Sequence, residues 1–391
     1  MRSLWLEHPP PPAEPPARDL RCEALVIGAG LAGLSAAVHL ERRGVDVRVV
    51  DAVGPGDGAS GRNGGFVLIT HPIEYPALRR RLGVDAARSL LGLARRTRAL
   101  WTELGEGAAR IEPAGSLAVT QAGDGAEAQA LREAARCLAE DGVPCTLEPV
   151  HAALEGFGAQ LRIPEDGAVH PGKLVGALAA RLRWPVLLGR VAEVQPGRAV
   201  LADGQRITFS RAVVATNQAV PGLVPELRGV LRPERGQVLA TAPAPARVLE
   251  PVVYATWGYD YLRQTAGRRF VLGGRRHRFV AAESTDAREV TADVQSALDE
   301  FLAHHVPAAR GLPVTHRWAG IMGFTPDQLP VVGPRPEGPE EVWVLAGFTG
   351  HGLGLTGALG EALAAAWTAS ASAEQQRWLA LLSPARFAAA P

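Results

Sequence analysis

A glycine-rich turn near the start of the chain has the residue types and spacing that bind a dinucleotide. Gly28, Gly30 and Gly33 follow the apolar run 24–27 and precede a stretch that is typical of a helix. Gly28 allows a tight turn, Gly30 leaves room for pyrophosphate against the backbone, and Gly33 lets helix and strand pack closely. The N-terminal end of that helix then faces the phosphates, which its peptide dipoles attract.

The acidic residue that such a site needs comes at the end of the next strand. The predicted strand 45–50 is followed directly by Asp51. A carboxylate in this position can accept hydrogen bonds from the ribose of an adenosine. Strand, turn, helix, strand and acid together predict nucleotide binding, and this segment alone fits FAD and NAD equally well.

A second glycine-rich segment, Gly58 to Gly65, has the sequence GASGRNGG and comes one loop after the acidic position. Here the chain resembles the D-amino-acid oxidase (DAO) superfamily of FAD-dependent amine oxidoreductases, and most closely its gamma-glutamylputrescine oxidase, glycine oxidase and sarcosine oxidase types. The resemblance implies that the cofactor is FAD. The Ser60 hydroxyl, Arg62 and the backbone amides of this turn could then meet the pyrophosphate and the isoalloxazine ring.

Two later segments also match the family. The loop 346–357 is glycine-rich and leads into a helix predicted from Leu355; the resemblance places it at the pyrimidine edge of the flavin, where amides and the helix dipole would stabilise negative charge on reduced flavin. The segment 317–333 resembles the family segment that ends in TPDxxPxxG. Gly320 stands where sarcosine oxidases attach flavin through a cysteine, so FAD is expected to be bound without a covalent link.

Three residues depart from the family pattern. Phe66 replaces a glutamine of the closest branch, so the surroundings of the flavin or substrate become apolar here. Val271 stands where sarcosine oxidases carry a lysine that assists oxygen, which favours a dehydrogenase, although other oxidases of the superfamily also lack that lysine. Gly354 replaces a lysine of the late glycine loop, so backbone groups must stabilise the reduced ring.

The substrate pocket is less clearly specified than the cofactor site. Tyr259, Tyr261 and Arg263 alternate along a predicted strand and share one face. An arginine beside tyrosines could hold a substrate carboxylate in a bidentate pair, although such faces also serve plain packing. His351 has a place near the ring, where positioning and acid-base roles are both possible. The predicted pocket residues are Tyr254, Tyr261, Arg263, Trp318 and His351.

The predicted cofactor-binding set combines all three glycine-rich segments with neighbouring strand ends. Its members are Gly28, Gly30, Leu31, Ala32, Gly33, Asp51, Ala52, Ser60, Gly61, Arg62, Asn63, Gly64, Gly65, Val191, Thr216, Gly320, Gly347, Thr349, Gly350, His351, Gly352 and Leu353.

The order of elements predicts an α/β chain in which a Rossmann-like FAD-binding domain is interleaved with an α+β substrate domain built on a mixed or antiparallel sheet. Periodicity predicts amphipathic helices over 75–104 and further helices over 126–141, 292–305 and 355–371. The strand-like runs of the substrate domain include 231–241, 252–265 and 269–276. The assignments are 1–20 for an extended, proline-rich leader, 21–74, 165–225 and 306–391 for the FAD-binding domain, and 75–164 and 226–305 for the substrate domain.

Composition narrows the class of protein further. The 41 basic and 40 acidic residues nearly cancel, which does not favour nucleic acid as a partner. Cys22, Cys137 and Cys145 are too few and too irregularly spaced for a disulfide framework or a metal site, so a cytoplasmic location and no metal are expected. The sequence contains no run of about 18 apolar residues, so no membrane span is predicted.

The expected activity is oxidation of the C–N bond of an amine or amino acid by hydride transfer to flavin N5, which gives an imine that hydrolyses. The partners would be that small-molecule substrate and O2 or another electron acceptor. The alternative is a flavin-binding protein without this activity that serves as a partner or scaffold. An NAD-dependent dehydrogenase would leave the two later glycine loops without a role. The substrate, the acceptor and the oligomeric state stay open.

Overall fold

The computed structural model describes residues 2–7, 11–16, 20–70, 74–105, 107, 109–337 and 340–387. In chain order, the strands are β1 (Leu20–Ile27), β2 (Val47–Asp51), β3 (Phe66–Val67), β4 (Ser116–Gln121), β5 (Thr146–Glu148), β6 (Phe157–Ile163), β7 (Gly167–Ala168), β8 (Leu187–Leu188), β9 (Val191–Gln195), β10 (Arg198–Leu201), β11 (Arg206–Val214), β12 (Arg232–Thr241), β13 (Val252–Ala255), β14 (Asp260–Gln264), β15 (Phe270–Gly274), β16 (Val314–Phe324), β17 (Val331–Pro334) and β18 (Val342–Ala346). The α-helices are α1 (Leu31–Glu41), α2 (Tyr75–Leu82), α3 (Val84–Leu104), α4 (Gly125–Glu140), α5 (Pro171–Ala179), α6 (Val220–Leu223), α7 (Val280–Glu283), α8 (Ala292–His305), α9 (Gly352–Trp367) and α10 (Ala373–Leu381).

The first sheet has the order β17-β18-β11-β1-β2-β8, and β9 and β10 extend it through β11. Its central pairs, β1 with β2, β11 with β1 and β11 with β18, are parallel. Residues 24–27 of β1 are buried because helices α1 and α9 cover one face and an apolar cluster covers the other. The continuous apolar runs of these strands therefore reflect a sheet that is covered on both faces.

The second sheet has the order β16-β12-β15-β14-β13-β4-β6-β5. Its pairs are antiparallel except β13 with β4, so the sheet is mixed. Helix α8 packs on one face through residues of a shared apolar cluster, and the chain enters and leaves this sheet more than once. The predicted fold class, two interleaved units with one mostly parallel and one mixed sheet, is confirmed. None of the described helices combines the length and the apolar composition that crossing a membrane requires.

Several elements differ from the sequence predictions. Strand β16 lies in the part assigned to the FAD-binding domain, but it pairs along its length with β12 in the second sheet, so that assignment was wrong for residues 314–324. The run 252–265 is a hairpin of two strands rather than one. Helix α9 begins at Gly352, three residues before the predicted start, and strand β6 had not been predicted.

The leader is also not a simple extended arm. Residues 4–6 form a buried turn of 3-10 helix, and only residues beyond them are extended, with Glu14 bridging to Leu187. Part of the proline run, including Pro9 and Pro10, lies outside the described residues. The apolar triplet Leu4, Trp5 and Leu6 is buried because it packs against the glycine-rich segment that follows β2, as described below.

Candidate cofactor and substrate site

One large cavity, of about 1040 Å3, lies between the two sheets. Its volume is at the upper end of the roughly 300–1,000 Å3 range of small-molecule sites. Walls come from the carboxyl ends of β1, β2 and β11 and from strands β13, β14 and β16 of the second sheet. Since ligands of open parallel sheets bind beyond the carboxyl ends of the strands, the cavity lies where the glycine turn predicted a nucleotide.

The three glycines of the first turn have different surroundings. Gly28 has φ +110°, and a Cβ there would lie 2.7 Å from the Ala215 carbonyl oxygen. A Cβ at Gly33 would overlap the Gly28 carbonyl oxygen, so this position allows α1 to pack on β1. Gly30 lines the cavity, and a Cβ there would meet only the Ser60 side chain, with 2.9 Å to its hydroxyl, rather than the backbone. This is the division of roles that the motif predicts.

Asp51 lines the cavity at the end of β2 and also braces the turn. Its Oδ2 accepts a hydrogen bond from the Ala29 amide at 2.8 Å, and its Oδ1 accepts from the amides of Val53 and Gly54 at 2.9 Å each. A carboxylate fixed by three amides has its direction set before any ligand arrives. The remaining acceptor capacity of its oxygens can serve a ribose hydroxyl.

The GASGRNGG segment folds around a short 3-10 turn, 59–61. The Ser60 hydroxyl accepts a hydrogen bond from the Leu31 amide at the start of α1, and Asn63 donates to the carbonyls of Ala59 and Ser60. Arg62 is bound to Asp57 through its Nε and Nη2. Several of the predicted polar groups are thus engaged in shaping the loop, while Ser60, Arg62, Asn63 and Gly64 line the cavity.

The start of α9 forms another part of the cavity wall, through Gly350, His351, Gly352 and Leu353. The early start of the helix places the first-turn amides of Gly352 and Leu353 at the cavity, where helix N-terminal amides lack partners within the helix. A Cβ at Gly354 would lie 2.5 Å from the Leu68 carbonyl oxygen, so this position lets the helix approach β3. The helix end could stabilise negative charge in the cavity.

An aromatic group closes the side of the cavity formed by the second sheet; we call its members Phe66, Tyr254 and Tyr261 the aromatic compartment. The Phe66 ring is perpendicular to both tyrosine rings, with centroids 5.2 Å and 5.9 Å away. Burial raises the pKa of both tyrosine hydroxyls well above the usual range, so both stay protonated at neutral pH. Phe66, whose identity departs from the family pattern, therefore shapes the apolar wall beside the loop.

Arg263 and Trp318 are two predicted pocket residues that the structure places behind the cavity wall. Neither residue lines the cavity. Arg263 is 2 % exposed, donates to the Val169 carbonyl at 2.8 Å and pairs with Glu112 at 3.0 Å, and burial lowers its pKa to about 10. The Trp318 indole donates to the Arg62 carbonyl at 2.8 Å. These contacts favour a structural role for both residues over contact with substrate.

Most other predicted cofactor residues do line the cavity. Those with direct access are Gly28, Gly30, Leu31, Ala32, Asp51, Ala52, Ser60, Arg62, Asn63, Gly64, Val191, Thr216, Gly320, Thr349, Gly350, His351, Gly352 and Leu353. The four that lie outside the lining are glycines, Gly33, Gly61, Gly65 and Gly347, at which an added Cβ would meet protein atoms. For these four positions the glycine serves close packing.

Among the residues of this region that sequence reasoning missed are Trp5, Arg276 and Met322. Arg276 and Met322 line the cavity, and Trp5 packs behind it. Met322 lies on β16, whose place in the second sheet had not been predicted, and Trp5 lies in the leader, which had been predicted as an extended arm. Arg276 carried a signal, since it follows the aromatic strand run, but Arg263 was predicted as the pocket arginine instead.

The cavity fits a large polar ligand with phosphate groups. Thr216 Oγ1 and Thr356 Oγ1 line it and are buried without a hydrogen-bond partner among the described residues. Buried hydroxyls without partners are uncommon in native proteins, and a ligand with several acceptors would satisfy them. Together with the open position at Gly30 and the two helix N-termini, these hydroxyls match what FAD offers.

Asp166 gives a testable pH dependence next to the site. It is fully buried, and its oxygens accept from the amide of Ile69, which lines the cavity, and from the Ser116 hydroxyl. Burial raises the pKa of Asp166 from 3.8 to about 7. The folded state therefore binds the proton more tightly than the unfolded state, and stability that is present below pH 4 is lost as the pH rises towards about 7.

We predict that Asp166→Asn removes this dependence. The difference in Tm between the wild type and Asp166→Asn should shift in favour of the variant as the pH rises from about 4 to about 7, and stay constant above. Asp203→Asn, in an exposed turn, is the matched control. Parallel Tm profiles for the wild type and Asp166→Asn would contradict the assignment.

Comparison with known proteins adds the family. The model of the DAO family, described as FAD dependent oxidoreductase, matches residues 23–366. The chain is 28 % identical to gamma-glutamylputrescine oxidoreductase of Escherichia coli K12 over 88 % of this chain and 83 % of that protein. It is 31 % identical to the bifunctional tRNA 5-methylaminomethyl-2-thiouridine biosynthesis protein MnmC of Chromohalobacter salexigens over 85 % of this chain, but spans only 48 % of that protein.

Solved structures share the fold. L-proline dehydrogenase from P. horikoshii superposes with a TM-score of 0.79 at 22 % identity, covering 95 % of this chain and 98 % of that one. Glycine oxidase from Geobacillus kaustophilus gives 0.76 at 20 % identity, covering 90 % and 96 %. At these identities the likeness concerns the fold.

Proposed function

The chain belongs to the DAO family of FAD-dependent oxidoreductases, and from this premise we propose that it oxidises the carbon–nitrogen bond of an amine or amino acid. FAD, when bound, would accept two electrons together with the hydrogen that leaves the carbon atom. The amine would thereby become an imine, which water hydrolyses. The aromatic compartment beside the GASGRNGG loop is the observation that carries the proposal, because it offers an apolar site for a small substrate next to the cofactor end of the cavity.

Specific parts of the chain would hold FAD. The α1 N-terminus with Gly30 would meet the pyrophosphate, Asp51 the ribose, and the loop 60–64 and the α9 N-terminus the rest of the cofactor. Gly320 lines the cavity in the position that other family members use for covalent attachment, so we propose non-covalent binding. Acid precipitation should release the whole of the flavin into the supernatant; flavin retained on the pellet would contradict this.

We propose that the oxidation proceeds by hydride transfer, which needs no strong base beside the substrate. Of the described acidic residues that line the cavity, Asp51 and Asp57 lie at the nucleotide end, whereas Glu74, at the exposed start of α2, is near enough to Tyr254 to contribute to the raised pKa of that tyrosine. His351 lines the cavity at the start of α9, and its Nδ1 lies 2.8 Å from the Thr349 carbonyl oxygen, which fixes the direction of the ring. We propose that His351 helps to orient the substrate amine at this side of the cavity.

We also propose a free small molecule as substrate rather than a tRNA. The name of the bifunctional relatives refers to tRNA, but this chain spans only 48–63 % of the length of those proteins. Basic and acidic residues nearly cancel in this chain, 41 against 40, whereas nucleic-acid binding depends on excess positive charge. Added tRNA should neither perturb the flavin spectrum nor compete with an amine substrate.

The decisive experiment is anaerobic mixing of FAD-loaded protein with a panel of amines, N-methyl amino acids and amino acids. Loss of the visible flavin absorbance with one of them supports amine oxidation, and the speed of recovery on admitting air separates an oxidase from a dehydrogenase. A protein that binds FAD but is reduced by none of the panel would instead support the alternative of a flavin-binding partner or scaffold.

Arg276 replaces Arg263 as the candidate cation for an amino-acid substrate. It lines the cavity, and its Cζ lies 4.8 Å from the Phe324 ring centroid and 5.5 Å from that of Tyr259. Its Nη1 is 3.5 Å from Glu234 Oε2, a long contact that a substrate carboxylate could replace. By contrast, Arg62 and Arg288, which also line the cavity, each form an ion pair with Asp57.

We predict that Arg276→Gln raises KM for an amine that carries a carboxylate by about 10- to 100-fold, because one charge-assisted pair is lost. KM for the corresponding amide should stay unchanged. Arg278→Gln, in the same turn but exposed and away from the cavity, is the matched control. Equal changes of KM for acid and amide would contradict a role in anion recognition.

A further inference from the structure

The leader forms a buried cluster directly behind the GASGRNGG loop, on the side away from the cavity. We call it the leader cluster; its members are Leu4, Trp5, Val238, Ala240, Val271 and Trp318. The Trp5 and Trp318 rings meet edge to face with centroids 6.5 Å apart, and they are 2 % and 0 % exposed. Leu6 packs towards Gly61, where a Cβ would lie 2.9 Å from Leu6 Cδ2, so the glycine admits the leader.

Both indoles donate hydrogen bonds to carbonyls of the loop. Trp5 Nε1 donates to the Asn63 carbonyl at 2.6 Å, and Trp318 Nε1 donates to the Arg62 carbonyl at 2.8 Å. A third donor, Arg263 Nη1, lies 3.3 Å from the Gly65 carbonyl. Loop carbonyls therefore point into the leader cluster, and donors from β14, β16 and the leader hold them there.

The direction of these carbonyls fixes the direction of the amides. In a trans peptide the C=O of one residue and the N–H of the next point to opposite sides of the chain. Since the carbonyls of Arg62 and Asn63 point into the leader cluster, the N–H groups of Asn63 and Gly64 point the other way. Both residues line the cavity, and neither amide donates to an acceptor within the described part of the chain.

We infer that Trp5 and Trp318 are positioning residues that turn the Asn63 and Gly64 amides towards the cofactor. Fixed donors stabilise negative charge most when their direction is set in advance, and a flavin gains negative charge on reduction. The two amides, held in this direction by the indoles, would bind reduced FAD more tightly than oxidised FAD. The indoles would thereby raise the reduction potential of the flavin. Trp5 precedes residue 23, where the match to the family begins, so this device lies partly outside the family core.

Substitution of each tryptophan by phenylalanine separates this role from packing, because phenylalanine keeps an apolar ring and loses the N–H donor. Trp378→Phe is the matched control: its indole also donates to a backbone carbonyl, that of Ser89 at 3.1 Å, and it is 5 % exposed, but it lies on α10 away from the cavity. The readouts are the flavin reduction potential and the Kd for FAD of the full-length protein. They require bound FAD but no amine substrate, so the inference stands apart from the proposed activity.

We expect Trp5→Phe and Trp318→Phe each to lose about tenfold in the relative binding of reduced over oxidised FAD, which lowers the two-electron potential by about 30 mV. Trp378→Phe should keep the wild-type potential. The inference is overturned if Trp5→Phe retains the wild-type potential, or if Trp378→Phe lowers it by the same amount. If Trp318→Phe fails to fold, Trp5→Phe alone decides between these outcomes, since Trp5 lies in the 3-10 turn 4–6 and not within a strand of the sheet.

Discussion

Replacement of Gly30 by leucine is expected to give a folded protein that contains no FAD. Gly30 has φ −77° and ψ 177°, an extended conformation that any residue adopts, so the backbone tolerates the change. The new side chain would extend past Ser60 into the cavity, where the α1 N-terminus is open to a phosphate group. Loss of several charge-assisted hydrogen bonds should weaken FAD binding by more than about 100-fold.

The other two glycines of the turn provide the contrast. At Gly28 a side chain would meet the Ala215 carbonyl and require an unfavourable positive φ, and at Gly33 it would overlap the Gly28 carbonyl, so both changes should lower Tm as well. Gly125→Leu, at an exposed helix start with no atom within 4 Å of a Cβ, is the neutral control. Flavin absorbance of the purified protein and its circular dichroism are the measurements. Wild-type FAD content in Gly30→Leu would refute the assignment of this end of the cavity.

The fold of the segment proposed to bind the nucleotide was predictable because its signals are local. The turn 28–33, helix α1 and Asp51 lie within one βαβ unit, and the backbone requirements of a glycine turn are written in residue type and spacing. Helix α8 was predicted with its observed bounds, 292–305, since its apolar residues recur with helical spacing. The cavity therefore begins where the sequence placed it.

The substrate end was less predictable because it depends on contacts between distant segments. Tyr261 and Arg263 do share a face of β14, as alternation predicts, but two residues along a strand are about 7 Å apart. At Tyr261 this face of β14 borders the cavity. One step further along the strand, the Arg263 side chain faces the leader cluster, with its Cζ 5.8 Å from the Trp5 ring centroid. Alternation predicts a face of the sheet and does not predict what covers each part of it.

Strand β16 illustrates the same limit. Gly320 and Gly323 interrupt its apolar pattern, and its partner β12 is about eighty residues earlier in the chain. The glycines are required there because a Cβ at Gly320 would lie 2.9 Å from Arg62 Cβ and a Cβ at Gly323 would lie 2.6 Å from Asn217 Oδ1. Such close approaches between segments leave no periodic signal in the sequence.

Glycines also position the aromatic compartment, and Gly273 is the position with the largest expected effect on catalysis. Gly273 pairs with Tyr261 across β14 and β15, and a Cβ there would overlap the Tyr261 ring at Cζ and Oη. The tyrosine thus lies flat over the glycine, an arrangement in which an aromatic side chain covers the exposed backbone of its cross-strand partner. Gly64, on the loop, approaches the same ring, with 2.9 Å between a Cβ and Tyr261 Cδ2.

We predict that Gly273→Ala lowers kcat/KM for an amine substrate by about 100-fold while FAD stays bound, because a displacement of Tyr261 by about 1 Å misplaces the substrate relative to the cofactor. Gly273 does not line the cavity, so the change reaches the site only through the ring. Gly267→Ala is the matched control, since it lies in the turn of the same hairpin and the nearest atom to its Cβ is Thr265 Oγ1 at 3.8 Å.

A double-mutant cycle with Tyr261→Ala tests this route. If Gly273 acts through the tyrosine ring, Gly273→Ala should lower kcat/KM in the wild-type background and have no further effect once Tyr261 is alanine, because the clash then has no partner. Additive losses would mean that Gly273→Ala disturbs the sheet itself, and an unchanged kcat/KM in the single variant would mean that the observed place of Tyr261 is not needed for oxidation. The cycle therefore measures how much of kcat/KM depends on the absence of a side chain at Gly273, opposite Tyr261.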